Sequence, residues 1–128
     1  MANEISTTFK LAVTNGGLKG EIDINATNPG QAKSSDQTAA GLLNLIVTTS
    51  TSEAAVTFSG LTTPGEIALK NLDATNIIQY GPEDSGAMVL LGQVKPGRTN
   101  HITLGSSVTL RVKAAAGNPK LQIFALES

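Results

Sequence analysis

Gly41-Leu42-Leu43-Asn44-Leu45-Ile46-Val47-Thr48-Thr49-Ser50-Thr51 is the stretch on which the fold class turns. Leu42, Leu43 and Ile46 fit the i, i+1, i+4 stripe of a helix. The segment then runs without a break into Thr48, Thr49, Ser50 and Thr51. β-Branched residues lose χ1 freedom against a helical turn, and hydroxyl side chains compete for its backbone groups. The segment is therefore read as a strand. No helical period longer than two turns is then left in the chain.

Period-2 alternation extends outward from it in both directions. Ile5, Phe9, Leu11 and Val13 share one face of a first strand, with Ser6, Thr8 and Lys10 on the other. Asn15-Gly16-Gly17 supplies a hairpin turn, and Leu18, Ile22 and Ile24 alternate with Lys19, Glu21 and Asp23 beyond it. Residues 26–37 read as a loop broken by Asn28-Pro29-Gly30. Ala54, Val56 and Phe58 make a strand, Thr63-Pro64-Gly65 a turn, and Ile67 and Leu69 start the next strand. Residues 71–76 form a turn, 77–80 a short apolar strand, 81–86 an exposed polar loop and 88–94 a well-buried strand. Lys95-Pro96-Gly97-Arg98 turns the chain again, and strands over 101–104, 108–112 and 121–126 complete the series. About ten short strands at this spacing predict an all-β fold, a single antiparallel β-sandwich of jelly-roll-like type. One domain is expected over 1–128. Met1, Ala2, Asn3 and Glu4 are too polar and short for its core, and are expected to form a contact arm reaching a neighbouring subunit.

Hydrophobic residues make up 40% of the 128, enough for a core, but aromatic residues only 3%, with no Trp. The interior is thus expected to consist of Leu, Ile, Val and Ala, with Phe9, Phe58 and Phe124 as its largest pieces. Charged residues stand at 15%, against roughly 25% in ordinary soluble domains. A surface so poor in charge repels its own kind weakly and suits a protein packed against neighbours.

Nine Lys and Arg against ten Asp and Glu give a net charge of −1, with no basic cluster. That composition speaks against nucleic-acid binding, which needs phosphates neutralised, and against a polybasic membrane patch. The longest apolar run, 42–47, is interrupted by Asn44 and is too short to cross a bilayer. The opening residues lack the basic and apolar regions of a signal peptide, so synthesis in the cytoplasm is expected.

Candidate chemistry is sparse. His101 is the one histidine, and there is no cysteine. A serine or threonine nucleophile needs a base held in place by a third group, and no G-x-S-x-G elbow accompanies His101. One histidine and no thiol also leave out the usual zinc sets. Glu83-Asp84 and Asp73 read as solvated loop acids, since the D-x-[DN]-x-[DN]-G calcium pattern is missing. Asn25-Ala26-Thr27 is a glycosylation sequon, expected to be inert without a signal peptide. Tyr80 is the one Tyr, so aromatic platforms for a sugar are lacking. The expectation is a protein that is not an enzyme and has no cofactor, metal or small-molecule substrate.

Ile67-Ala68-Leu69-Lys70-Asn71-Leu72-Asp73-Ala74-Thr75-Asn76 resembles the strand–N-L-D-A-T-N–strand unit of small structural proteins from tailed bacteriophages. As in those proteins, a short apolar strand, a polar loop, an apolar strand and a Lys-Pro-Gly turn (Lys95-Pro96-Gly97) follow. The resemblance covers about 53–128; Arg98 departs from it, standing where an acidic residue is expected. In this unit Asn71, Asp73, Asn76, Pro96 and Gly97 read as structural turn residues. The resemblance implies a virion component of jelly-roll type. It implies a capsid decoration or cement protein on the capsid surface that bridges major capsid subunits, often as a homo-oligomer and in the first instance a trimer. A tail, collar or head–tail connector component is the alternative, and a non-viral β-sandwich binding module a more remote one.

Overall fold

A computed structural model describes residues 4–7, 10–15, 18–23, 33–36 and 41–127. The chain divides into two compact units, 1–38 and 39–128. In the first, β1 (Glu4–Thr7) pairs antiparallel with β4 (Lys33–Asp36). The strands β2 (Lys10–Asn15) and β3 (Leu18–Asp23) form a hairpin with Asn15 opposite Leu18. This is the expected hairpin, although Gly16 and Gly17 themselves lie outside the described residues, as do Phe9 and Ile24. Two expectations are corrected. The single strand over 5–13 is two strands with different partners, and 33–36, read as loop, is β4. Lys33-Ser34-Ser35-Asp36 has no apolar alternation, so only its pairing with β1 reveals it as a strand.

The second unit contains β5 (Leu42–Thr48), β6 (Ala54–Ala55), β7 (Pro64–Asn71), β8 (Ile78–Asp84) and β9 (Ala87–Met88). It continues with β10 (Gly92–Val94), β11 (Thr99–Thr103), β12 (Leu110–Ala114) and β13 (Lys120–Glu127). They form two antiparallel sheets, β11-β7-β13-β5 and β10-β8-β12-β6, with β9 also on β8. The pairing is nested: β8 with β10, β7 with β11, β6 with β12, and β5 with β13. A chain that doubles back after β8 and rolls up as one long ribbon gives this order, which is that of the jelly roll. The expected antiparallel β-sandwich is thus what these residues form. The helix-like stripe at 42–46 is in fact strand, as its run into threonines predicts.

Alternation places the core. Ile67 and Leu69 on β7, and Leu121, Ile123 and Ala125 on β13, point inward from one sheet. Ile78 and Tyr80 on β8, Val94 on β10, and Leu110 and Val112 on β12 meet them from the other. Phe124 falls between two inward residues of β13, so the strand period turns its ring outward, 42% exposed, and it is not the core piece its size suggests. Phe58 does pack against the core.

The two inward rows end on polar residues, Asn71 and Glu127, both buried. The Glu127 carboxylate accepts from the Thr63 backbone N–H at 2.8 Å, the Thr62 N–H at 3.0 Å and the Thr63 hydroxyl at 3.2 Å. That bond set fastens the loop before β7 to the end of β13. It also explains why Pro64 and Gly65, read as a turn, begin β7 instead: the bend lies two residues earlier.

The stretch 81–94 departs furthest from its reading. The expected polar loop at 81–86 is mostly strand, because β12 and β9 flank β8 as far as Asp84. Only Ser85 and Gly86 turn, with φ of 53° and 82°, the paired positive values of a two-residue hairpin. Conversely, the expected buried strand over 88–94 is interrupted. Val89, Leu90 and Leu91 stand outside both β9 and β10 and are 52%, 54% and 66% exposed.

Candidate assembly surfaces

The two sequence motifs meet at one end of the sandwich. Asn71 closes β7 and points inward, where its Nδ2 donates to the Asn76 carbonyl at 2.8 Å and to the Val94 carbonyl at 2.9 Å. Its Oδ1 accepts from the Asp73 N–H at 2.9 Å. Asp73 Oδ1 in turn accepts from the N–H groups of Thr75 and Asn76, both at 2.7 Å. Short polar side chains that bond nearby backbone define such a turn. The turn Lys95-Pro96-Gly97-Arg98 follows Val94: Gly97 has φ of 68°, and the Arg98 N–H donates to the Lys95 carbonyl at 3.0 Å. Pro at the first central position and a positive-φ Gly at the second make a type II turn. The Arg98 carbonyl then accepts from the Asn71 N–H at 3.0 Å. Asn71, Asp73, Asn76, Pro96 and Gly97 are thus brought together, and the contact at Arg98 runs through its backbone, which the departure from the resembled pattern leaves intact.

These residues build the fold, and Asp73 gives it a pH dependence. The bonds from the Asn76 and Thr75 backbone hold its carboxyl below the usual carboxylate pKa. A depressed folded-state pKa adds stability that is fully present above the unfolded-state value, 3.8, and is lost as pH falls through the folded one. An Asp73→Asn chain keeps an acceptor for the same N–H groups but carries no charge to titrate. Urea unfolding from pH 6 down to pH 2 should therefore show a shallower acid loss for this variant than for the intact chain. Parallel curves would assign the acid loss to other carboxylates.

Two of the remaining candidate groups, His101 and Glu83, are paired with side chains on neighbouring strands. His101 Nε2 lies 2.6 Å from Glu66 Oε2 across neighbouring strands, half-exposed. Arg111 Nε donates to Glu83 Oε2 at 2.6 Å, so Glu83 pairs with a cation on β12. Among the described residues, no three His, Cys, Asp or Glu side chains gather where they could hold a metal ion. Of the expected contact arm, Met1, Ala2 and Asn3 lie outside the described residues; Glu4 opens β1 opposite Asp36.

What the surface offers instead is apolar. On the outer face of the β11-β7-β13-β5 sheet, Leu42 is 63% exposed, Ile46 59% and Phe124 42%. Phe124 pairs with Asn44, which puts its ring diagonal to both Leu42 and Ile46, within reach of each. The second group is Val89, Leu90 and Leu91. A Cβ on the outward side of Gly81 would run into the Val89 carbonyl, so this segment lies against the outer side of β8, in the other sheet. The Val89 and Leu91 N–H groups hold it there by donating to the carbonyls of Pro82 and Tyr80. Neither group includes a charged residue.

Neither group stands out along the chain, although both leave a signal there. Three successive apolar residues cannot all face one side of a strand, so Val89-Leu90-Leu91 must either bulge or expose one of its members. In β5 the apolar residues Leu42 and Ile46 occupy the alternate face from Leu43, Leu45 and Val47, which marks a strand with something to cover on both sides. Compared with known proteins, the chain matches no family model, no curated protein and no solved structure.

Proposed function

We propose that this chain is a non-catalytic virion structural protein of a tailed bacteriophage, a decoration or cement protein that bridges and stabilises major capsid subunits on the capsid surface. The observation that carries the reading is the pair of uncharged apolar groups on the outer faces of different sheets. A bridge needs two separate contact surfaces on a rigid body, and a jelly roll with a well-filled core supplies that body. The resemblance around Asn71 to phage structural proteins supplies the setting. The protein works as a homo-oligomer, with a trimer as its expected form. Each contact is then modest, but simultaneous attachment raises the effective concentration at every other.

The experiment compares particles that carry the protein with particles that lack it. Particles without it should form with normal shape and release their DNA at a lower temperature. Because the apolar groups bear no charge, attachment should withstand moderate salt, which screens only charged contacts. Equal release temperatures would remove the cement role. Failure to complete a tail in its absence would transfer the protein to the tail, collar or connector, and no effect on particles at all would leave a non-viral binding module.

A further inference from the structure

We propose that β5 is a self-pairing edge, and that two copies of this chain join through it about a two-fold axis so that their β11-β7-β13-β5 sheets become one continuous sheet. The inference deepens the reading of the chain as an assembling building block, and rests on it.

Among the described residues β5 has one strand neighbour, β13, and its other side is an edge. Natural edges of this length are normally blunted by a lysine, a proline, a bulge or a covering loop, because unpaired N–H and C=O groups recruit other strands. Leu42-Leu43-Asn44-Leu45-Ile46-Val47-Thr48 has no charge and no proline. Its register with β13 is unbroken from Leu42 opposite Leu126 to Thr48 opposite Lys120, so no bulge twists it away. At about 3.3 Å per residue it offers on the order of 23 Å of regular edge.

The occupant is identified by how well the strand fits itself. In an antiparallel pair centred on Leu45, Leu43 faces Val47 of the second copy, and Leu45 faces Leu45. All three point inward and are only partly buried against the core of one copy, because they line its edge. Pairing would continue one apolar interior into the next. On the outer face, Asn44 meets Ile46 of the second copy, and the two groups of Leu42, Ile46 and Phe124 fall on a shared surface. Shifting the register by one residue would set inward residues against outward ones, and shifting it by two would leave two residues of the strand unpaired, so the centred register alone pairs all of 42–48 with itself. Because the strand is neutral, no like charges oppose the two-fold pairing. Such a joint makes a dimer of a single chain, or links two larger rings.

The test uses the whole chain with charges at two outward, exposed positions, where they leave the core alone. One variant carries Asn44→Lys and Ile46→Lys, the other Asn44→Glu and Ile46→Glu. In the centred register position 44 faces 46 of the other copy, so each variant alone sets like charges against each other twice. By sedimentation, each should run at half the mass of the intact protein while keeping its β circular-dichroism spectrum. Mixed in equal amounts, the two should recover the full mass as a one-to-one species, because every facing pair is now Lys against Glu. Variants that keep the full mass would rule out the β5 joint. A mixture that stays at half mass would rule out this register. Either failure leaves the DNA-release comparison unaffected, whereas an intact joint on particles with unchanged release would remove the cement role alone.

Discussion

An Asn71→Ala protein is expected to lose about 3–4 kcal/mol of folding stability, a large share of the roughly 5–15 kcal/mol that holds a domain of this size together. The residue is buried and its side chain makes three hydrogen bonds, to the Asn76 carbonyl, the Val94 carbonyl and the Asp73 N–H. Alanine removes all three partners at once, and each backbone group left without one in the interior costs about 1 kcal/mol or more. Asn71→Asp is the sharper control. Its carboxylate still accepts from Asp73, but sets negative oxygens against two carbonyls that need a donor. At neutral pH it should destabilise at least as much as alanine. Urea denaturation followed by circular dichroism measures both. If Asn71→Ala is within about 1 kcal/mol of the intact chain, the side chain is not what joins the end of β7 to the 71–76 turn and to β10.

Gly81→Ala is the second large effect. The added Cβ would collide with the Val89 carbonyl, lie 2.8 Å from its carbon and sit 3.0 Å from the Leu91 nitrogen. These are backbone atoms and cannot swing aside like the end of a side chain. The 89–91 segment must lift off β8, at the expense of the bonds from Val89 to Pro82 and from Leu91 to Tyr80. Overpacking of this kind costs about 3 kcal/mol. Gly105→Ala provides the comparison, because its Cβ would meet only the Val108 Cγ2 at 3.4 Å, an ordinary contact. Its unfolding midpoint should barely move. Equal midpoints for the two variants would mean that the 89–91 segment is held loosely rather than seated on Gly81.

Much of the architecture could be read along the chain, because it rests on local rules. Thr48, Thr49 and Thr51 disfavour a helix through 42–51, and 42–48 is indeed strand β5. The alternation of Ile67, Leu69 and Asn71 sets one face of β7 before its partners are known. Pro96 with Gly97 determines a turn type, and Asp73 two residues after Asn71 signals a side-chain-bonded turn. Local rules of this kind suffice for the all-β class, the turns around Asn71 and Gly97, and an interior that is aliphatic apart from Tyr80 and the partly buried Phe58. Tertiary structure decided the rest, since a strand's neighbours are set by pairing partners far away in sequence. Lys33-Ser34-Ser35-Asp36 became β4 only through β1, and 81–84 stayed extended only because β12 and β9 flank it. Phe124 was turned out by the inward register of β13, whatever its size favoured. The nested ribbon brought Val89, Leu90 and Leu91 onto one sheet and Leu42, Ile46 and Phe124 onto the other, a separation that depends on which strands pair and that no local pattern contains.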